Sequence, residues 1–148
     1  TWIPEWVRED PRLREQEWHG KLPISGFDED AEEERDKFST FYFRFTNGGE
    51  SCADVFDRMS DFLSTLNRDF QNPRFPKHCL LVMHGMSMRL FLMRFFHKRV
   101  AEFETWNNPH NCEIFHLKLN EHLKYNFDFN TLRKKTVLHE HRCDLTIL

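Results

Sequence analysis

The feature that most constrains the fold of this chain is an apolar run that stops at a histidine and a glycine. Residues Cys79 to Met83 are consecutive apolar residues, and His84-Gly85 follows them directly. A short continuous run of this kind is typical of a strand buried on both faces of a parallel sheet. The next segment, Met86 to His97, places apolar residues on several sides of a helix. We therefore expect a buried strand that turns directly into a helix, with His84 at the turn.

A second helix is predicted upstream of this strand. Between Cys52 and Phe70, apolar residues recur at intervals of three and four, at Val55, Phe56, Met59, Phe62, Leu63 and Leu66. This spacing indicates an amphipathic helix. Ser51 is in position to act as its N-cap, and Asn72-Pro73 would end it. Further along the chain, Val100 to Trp106 suggests a short helix, and the alternation in Cys112 to Leu119 predicts a strand.

Composition narrows the class of protein. The 148 residues suit one domain, and 16 of them are phenylalanines, which require a core or a partner surface to bury them. A net charge of -3 and a pI near 6.3 argue against general affinity for nucleic acid. The basic stretch Arg133-Lys134-Lys135 is small for a nucleic-acid interface, so we interpret it as a solvated tail. No run reaches the ~18 apolar residues of a membrane span.

Three further features leave alternatives open. The acidic residues within 28–36 form either a solvated loop leading into a helix or a surface for a partner. The four cysteines, Cys52, Cys79, Cys112 and Cys143, contain no CxxC pair. We favour free thiols over disulfides, and hence an intracellular, reducing compartment. His139-Glu140-His141 could contact one metal ion from a strand, although ordinary surface positions are the favoured interpretation.

Two residues stand where chemistry is expected. Glu15 lies within Leu13-Arg14-Glu15-Gln16, and His84 follows the apolar run. The simplest interpretation is structural: a histidine hydrogen-bonded to backbone and one loop carboxylate among many. However, a histidine at the carboxyl edge of a sheet, beside a helix N-terminus, is well placed to bind a phosphoryl group. A nearby glutamate could then protonate a leaving alkoxide.

Four segments, in order along the chain, resemble successive blocks of the histidine-phosphatase superfamily in its phosphoglycerate-mutase-like branch. They are EDPRLREQEW, FYFRFTNGGESCADVFDR, VMHGMSMRLFLMRFF and NPHNCEIFHL, and the resemblance runs from about Val7 to Leu119. It implies an α/β fold, a three-layer α/β/α sandwich with a mostly parallel sheet. It also implies a domain over residues 1–122 that lacks its N-terminal part, followed by a C-terminal tail over residues 123–148.

The resemblance implies roles for individual residues. The family passes a phosphoryl group to a histidine in an Arg-His-Gly motif and needs no metal or other cofactor. Glu15 matches the acid/base glutamate, and His84 matches a second histidine that grips the phosphate. Gly85 and Met86 match the turn whose backbone can face the phosphate. The remaining matches, in blocks that border the pocket, are Arg14, Arg44, Ser51 and Asn111.

The chain also departs from the family pattern. It contains no Arg-His-Gly triplet, and His19 is an insertion in the step that follows the glutamate. We expect the segment with the triplet to precede Thr1, and we expect another protein segment or chain to complete the sheet. Two hypotheses follow. The chain is part of a phosphatase or mutase that acts on a phosphorylated small molecule, or it is an inactive family-derived subunit with a structural or interaction role in a larger assembly.

Overall fold

The computed structural model describes residues 7–18, 35, 37–45, 48–122 and 124–132. Within these ranges the chain forms helices α1 (Cys52–Phe70), α2 (Gly85–Phe95) and α3 (Val100–Phe103), strands β1 (Lys118–Leu119) and β2 (Tyr125–Asn126), and 3-10 helices at Pro11–Leu13 and Phe129–Thr131. The two strands are antiparallel, with Lys118 opposite Asn126 and Leu119 opposite Tyr125. None of the helices in the described part is long and apolar enough to cross a membrane.

Helix α1 confirms the helix predicted from the spacing of apolar residues. Its buried residues are Cys52, Val55, Met59, Phe62 and Leu66, which lie three or four positions apart on one face. Ser51 is the N-cap, as predicted. The Ser51 hydroxyl accepts a hydrogen bond from the Asp54 N–H, and the Asp54 carboxylate accepts one from the Ser51 N–H. This capping box fixes where the helix begins.

Helix α2 packs against α1 and is buried on several sides, as its sequence predicted. Met86, Ser87 and Leu90 are among its buried residues, and they place the first turn of the helix against the rest of the core. His84 precedes the helix as its N-cap residue. Because its first turn is buried, the beginning of α2 is held in place by packing, which an exposed helix end would lack.

Phenylalanines build much of the core around α3. Phe103 is fully buried and meets the rings of Phe41 and Trp106 edge to face. The Leu132 side chain is also buried, and its carbonyl accepts a hydrogen bond of 2.6 Å from the Asn107 N–H. Residues just beyond position 122 thus contribute to the same core. The division into a domain over residues 1–122 and a tail over 123–148 stays a prediction.

The fold class predicted by the resemblance is wrong for the described chain. In place of a three-layer sandwich with a mostly parallel sheet, the described chain is 41% helical and has one ladder of two short antiparallel strands. The expected strand from Cys79 to Met83 is not formed. Within the described ranges, no backbone hydrogen bond joins this segment to another. A strand is stable only when it is paired, and here no neighbour supplies the partner groups.

The strand predicted from Cys112 to Leu119 is also mostly absent. Only Lys118–Leu119 pairs, and Cys112 lies in a turn with a positive φ of 62°. Both failed strands nevertheless keep the alternating burial of an extended chain. Leu81 and Phe115 pack against the core, whereas their neighbours Leu80 and Ile114 are exposed. Both segments therefore have the alternating burial of strands, but the described residues do not pair with them to form a sheet.

Several predictions fall outside the described residues. They concern the acidic residues within 28–36, the insertion at His19, the basic stretch Arg133-Lys134-Lys135 and the pair His139-Glu140-His141.

Candidate functional site

The carboxylate of Glu15 lies at the N-terminal end of α2. It accepts a hydrogen bond of 2.8 Å from the N–H of Gln16 and one of 3.4 Å from the N–H of Met86. The Ser87 hydroxyl is 3.3 Å from the same carboxylate. First-turn N–H groups and the helix dipole favour negative charge at this end of a helix. Glu15 therefore occupies a position that suits an anion.

His84 stands immediately before this helix end. As the N-cap residue it has an extended backbone, with φ of -79° and ψ of 166°. Its side chain is exposed and makes no capping hydrogen bond. The imidazole is thus available to a ligand beside the N–H group that Glu15 contacts. The structure brings Glu15, His84 and Met86 to one helix end, although the strand that was expected to place His84 there is absent.

Gly85 keeps the backbone of this helix end close to a loop. A Cβ at this position would lie 3.3 Å from Pro109 Cδ and 3.4 Å from Asn108 Cγ. The same loop is held by Arg89, whose guanidinium donates a hydrogen bond of 2.9 Å to Asn108 Oδ1 and also contacts the Phe103 carbonyl. Burial lowers the pKa of Arg89. The loop after α3 is therefore one wall of the site.

Arg14 directly precedes Glu15 in the chain, but its charge lies away from the Glu15 carboxylate. Its guanidinium forms a 2.5 Å ion pair with Glu50 and does not bond to the carboxylate of Glu15. Burial alone would raise the pKa of Glu50, but the hydrogen bond from Arg58, the Glu17 N–H and the positive charges of Arg58 and Arg14 lower it. Glu50 is consequently an ionised anchor for the loop that carries Glu15.

Arg44 and Ser51 belong to a cluster around Asp54. Arg44 donates hydrogen bonds to the Asp54 carboxylate at 2.5 Å and to the Gly49 carbonyl at 3.2 Å. Burial alone would raise the pKa of Asp54, but its hydrogen bonds with Ser51 and the charge of Arg44 lower it. Through these hydrogen bonds with Asp54, both Arg44 and Ser51 stabilise the beginning of α1.

The last two predicted positions differ in burial. Met86 is buried, and its sulfur is 3.7 Å from the Cys52 sulfur. Its backbone N–H contacts Glu15, and its predicted role towards phosphate stays a prediction. Asn111 is exposed in the turn before Cys112, and its side chain has no hydrogen bond to any described residue.

Sequence reasoning missed three residues that shape the site: Ser87, Asn108 and Arg58. Ser87 donates a hydrogen bond of 2.6 Å to the Arg14 carbonyl and so ties α2 to the loop of Glu15. Asn108 accepts a hydrogen bond from Arg89, and Arg58 donates one to the Glu15 carbonyl. Each acts through a contact distant in sequence, and no local pattern signals such contacts.

Cys52 lies beside the site and is buried. Burial raises the pKa of its thiol to about 12, which keeps the thiolate, the reactive form, scarce at neutral pH. Its role is packing at the start of α1.

Comparison with known proteins identifies the class of protein to which this chain belongs. The model of the histidine phosphatase superfamily (branch 1) matches residues 5–130. The chain belongs to this family, as the resemblance of its segments predicted.

Relatives with curated descriptions agree. The chain is 40% identical to the phosphoglycerate mutase-like protein AT74 of Arabidopsis thaliana over 121 residues, which are 78% of this chain and 38% of that protein. It is 37% identical to the broad-range acid phosphatase DET1 of Saccharomyces cerevisiae over 118 residues, or 78% of this chain and 35% of that protein. The chain thus spans less than half the length of these relatives. No solved structure matches it.

Proposed function

We propose that this chain supplies the proton-transfer and phosphate-binding half of a phosphoglycerate mutase-like histidine phosphatase. Its substrate would be a phosphorylated small molecule, processed by hydrolysis or phosphoryl transfer. The phosphate-accepting histidine would come from a segment outside these 148 residues. The observation that carries the proposal is the contact between the Glu15 carboxylate and the Met86 N–H, one residue beyond His84-Gly85.

The geometry suits a two-step reaction. In the first step, the accepting histidine attacks phosphorus while protonated Glu15 gives its proton to the leaving alkoxide oxygen. In the second step, the Glu15 carboxylate takes a proton from water as the water oxygen attacks the phosphohistidine. The His84 imidazole and the Met86 N–H would hydrogen-bond to phosphoryl oxygens, where negative charge must be held throughout.

We infer further that another protein segment covers an exposed apolar surface in the segments that flank this site. Leu80 and Val82 are 82% and 81% exposed, and Ile114 is 63% exposed. Exposed apolar side chains that alternate with buried ones mark a surface that needs a cover. The greater length of the relatives supports a segment of the same polypeptide as the cover. The unpaired thiols of Cys52, Cys79 and Cys112 support a reducing compartment.

The alternative is a catalytically inactive subunit with a structural or interaction role in a larger assembly. The same exposed surface favours it, as do the ion pairs that occupy Arg14 and Arg44. The two proposals differ in what they require of Glu15. An active enzyme needs its carboxyl group, whereas an inactive subunit does not.

The test is turnover of phosphomonoesters by the protein translated from the complete open reading frame. We expect Glu15→Gln to lower kcat about 10²–10⁴-fold, since the amide cannot exchange a proton. Glu9→Gln, an exposed position on the same segment, is the matched control and should leave kcat unchanged. An active protein in which Glu15→Gln has no effect would remove Glu15 from the mechanism. A protein without turnover would favour the inactive subunit.

A further inference from the structure

Arg58 is a largely buried arginine of α1 that contacts the loop carrying Glu15. Its side chain is only 11% exposed. It donates hydrogen bonds to the main-chain carbonyls of Arg12, Arg14 and Glu15, the last two at 2.8 and 3.1 Å. Three carbonyls within four residues therefore converge on one guanidinium. Such convergence fixes the path of the main chain that carries Glu15.

The same guanidinium is paired with Glu50. Its Nε and one Nη bond to the two carboxylate oxygens, at 3.1 and 3.0 Å. Glu50 in turn accepts a hydrogen bond of 3.0 Å from the Glu17 N–H, and its own N–H donates one of 2.8 Å to the Glu17 carbonyl. The loop is thus held on both sides of Glu15, by carbonyls before it and by the main chain of Glu17 after it.

All the donors of Arg58 are used in this arrangement. A guanidinium has five N–H groups in a rigid plane, and each has an acceptor here: three carbonyls and two carboxylate oxygens. A lysine ammonium has three donors that radiate from one point and cannot span these acceptors. The site therefore requires arginine in particular and not positive charge alone.

We propose that Arg58, paired with Glu50, is a positioning residue for the acid/base action of Glu15. This inference rests on the proposed function of Glu15. Arg58 holds the loop through three of its carbonyls, and Ser87 donates a second hydrogen bond to one of them, that of Arg14. The side chain of Glu15 is left to point at the N-terminus of α2. Misplacement of a catalytic group by about 1 Å can cost on the order of 10²-fold in rate.

The test separates positioning of an acid from general support of the fold. An acid matters most when the leaving group is a strongly basic alkoxide, and least when it is a weakly basic phenolate. We would measure kcat of the complete open-reading-frame protein on glycerol 2-phosphate and on p-nitrophenyl phosphate. Arg58→Lys should lower kcat on the alkyl ester about 10–100-fold and lower it on the aryl ester several-fold less. Arg68→Lys, on the exposed end of the same helix, is the control.

The outcomes are distinct. The proposal requires Arg58→Lys and Glu50→Gln to share the leaving-group selectivity of Glu15→Gln, with Arg68→Lys unchanged. Equal losses on both esters, or no loss, in variants that melt like the parent protein would overturn it. If Arg58→Lys proves too unstable, the same comparison is made with Glu50→Gln, which leaves the arginine in place. A Glu15→Gln variant without selectivity would instead overturn the acid role on which the inference rests.

Discussion

Glu15 and Met86 are 71 positions apart in sequence, yet the carboxylate of one accepts a hydrogen bond of 3.4 Å from the backbone N–H of the other. The contact joins an irregular loop to the first turn of a buried helix. A carboxylate held there is stabilised by the positive end of the helix dipole. A bound phosphoryl group would use the same end of the helix, so Glu15 and substrate would meet at one point. This relationship underlies the proposed chemistry.

The hydroxyl of Ser87 should contribute to stability as well as to the site. Ser87 is fully buried, and it donates a hydrogen bond of 2.6 Å to the Arg14 carbonyl. The Arg14 carbonyl also accepts a hydrogen bond of 2.8 Å from Arg58, so Ser87→Ala removes one of its two hydrogen bonds, and we expect the free energy of unfolding to fall by about 0.5–1.5 kcal/mol. Urea denaturation measures the change. Ser64→Ala, which removes an exposed hydroxyl on α1, is the control and should change it by less than about 0.5 kcal/mol. Equal effects would mean that the Ser87 bond adds nothing.

Glu50 should make stability dependent on pH in the acid range. Its pKa in the folded chain is lowered from the usual 4.5 by Arg58, the Glu17 N–H and Arg14, against the opposing effect of burial. A lowered pKa stabilises the fold above the unfolded value, and this contribution is lost as pH falls through the folded value. Unfolding free energy should therefore decline below about pH 4.5, and less steeply in Glu50→Gln.

The control for this pH dependence is Glu121→Gln. The Glu121 side chain is 88% exposed, so its removal should leave the slope unchanged. Denaturation midpoints between pH 3 and pH 7, on the order of one measurement per half unit, would define both curves. If Glu50→Gln kept the full acid slope, other carboxylates, among them Asp54 with its lowered pKa, would account for it.

The described cysteines should differ sharply in reactivity. Cys52 is 1% exposed, and burial raises its thiol pKa to about 12. Cys79 and Cys112 are exposed, although partial desolvation and the nearby Asp69 raise the pKa of the Cys79 thiol. Iodoacetamide at pH 8 should therefore label Cys112 and, more slowly, Cys79 in the native protein, and should label Cys52 only after unfolding. Peptide mass spectrometry assigns the label to each position. Fast native labelling of Cys52 would contradict the burial on which this prediction depends.

Local patterns predicted the helices well because a helix satisfies its own backbone. The spacing of Val55, Met59 and Phe62 and the capping role of Ser51 gave α1 its correct beginning and end. The segment from Cys79 to Met83 was different. A strand needs hydrogen-bonding partners elsewhere in the chain, and the described residues do not provide them. Apolar content alone could not reveal that.

For the candidate site, Glu15 and His84 were selected through family motifs, and the structure places them at the same helix end, while their catalytic roles stay predictions. Arg58, Ser87 and Asn108 were not found, since each acts through a partner far away in sequence. Arg14 and Arg44 were expected at the pocket border, but their ion pairs with Glu50 and Asp54 depend on folding that motif matching does not describe.

The exposed surface formed by Leu80, Val82 and Ile114 gives the last prediction. Without a covering segment, these side chains present apolar groups to water, so the 148-residue chain should self-associate. The double variant Leu80→Lys, Val82→Lys should shift it towards monomer, since charged side chains resist desolvation and repel one another. Sedimentation velocity over a hundredfold range of concentration measures the shift.

A matched control uses two exposed aromatic residues elsewhere in the chain. Phe38 and Tyr42 are 67% and 63% exposed, so Phe38→Lys, Tyr42→Lys adds the same charge at comparable exposure. If the surface around Leu80 drives association, only the first double variant should become monomeric. The complete open-reading-frame protein should behave differently. The parent protein should be monodisperse, and Leu80→Lys, Val82→Lys should lower its free energy of unfolding, because the covering segment would then bury two charges. A tolerant complete protein would show that nothing covers this surface.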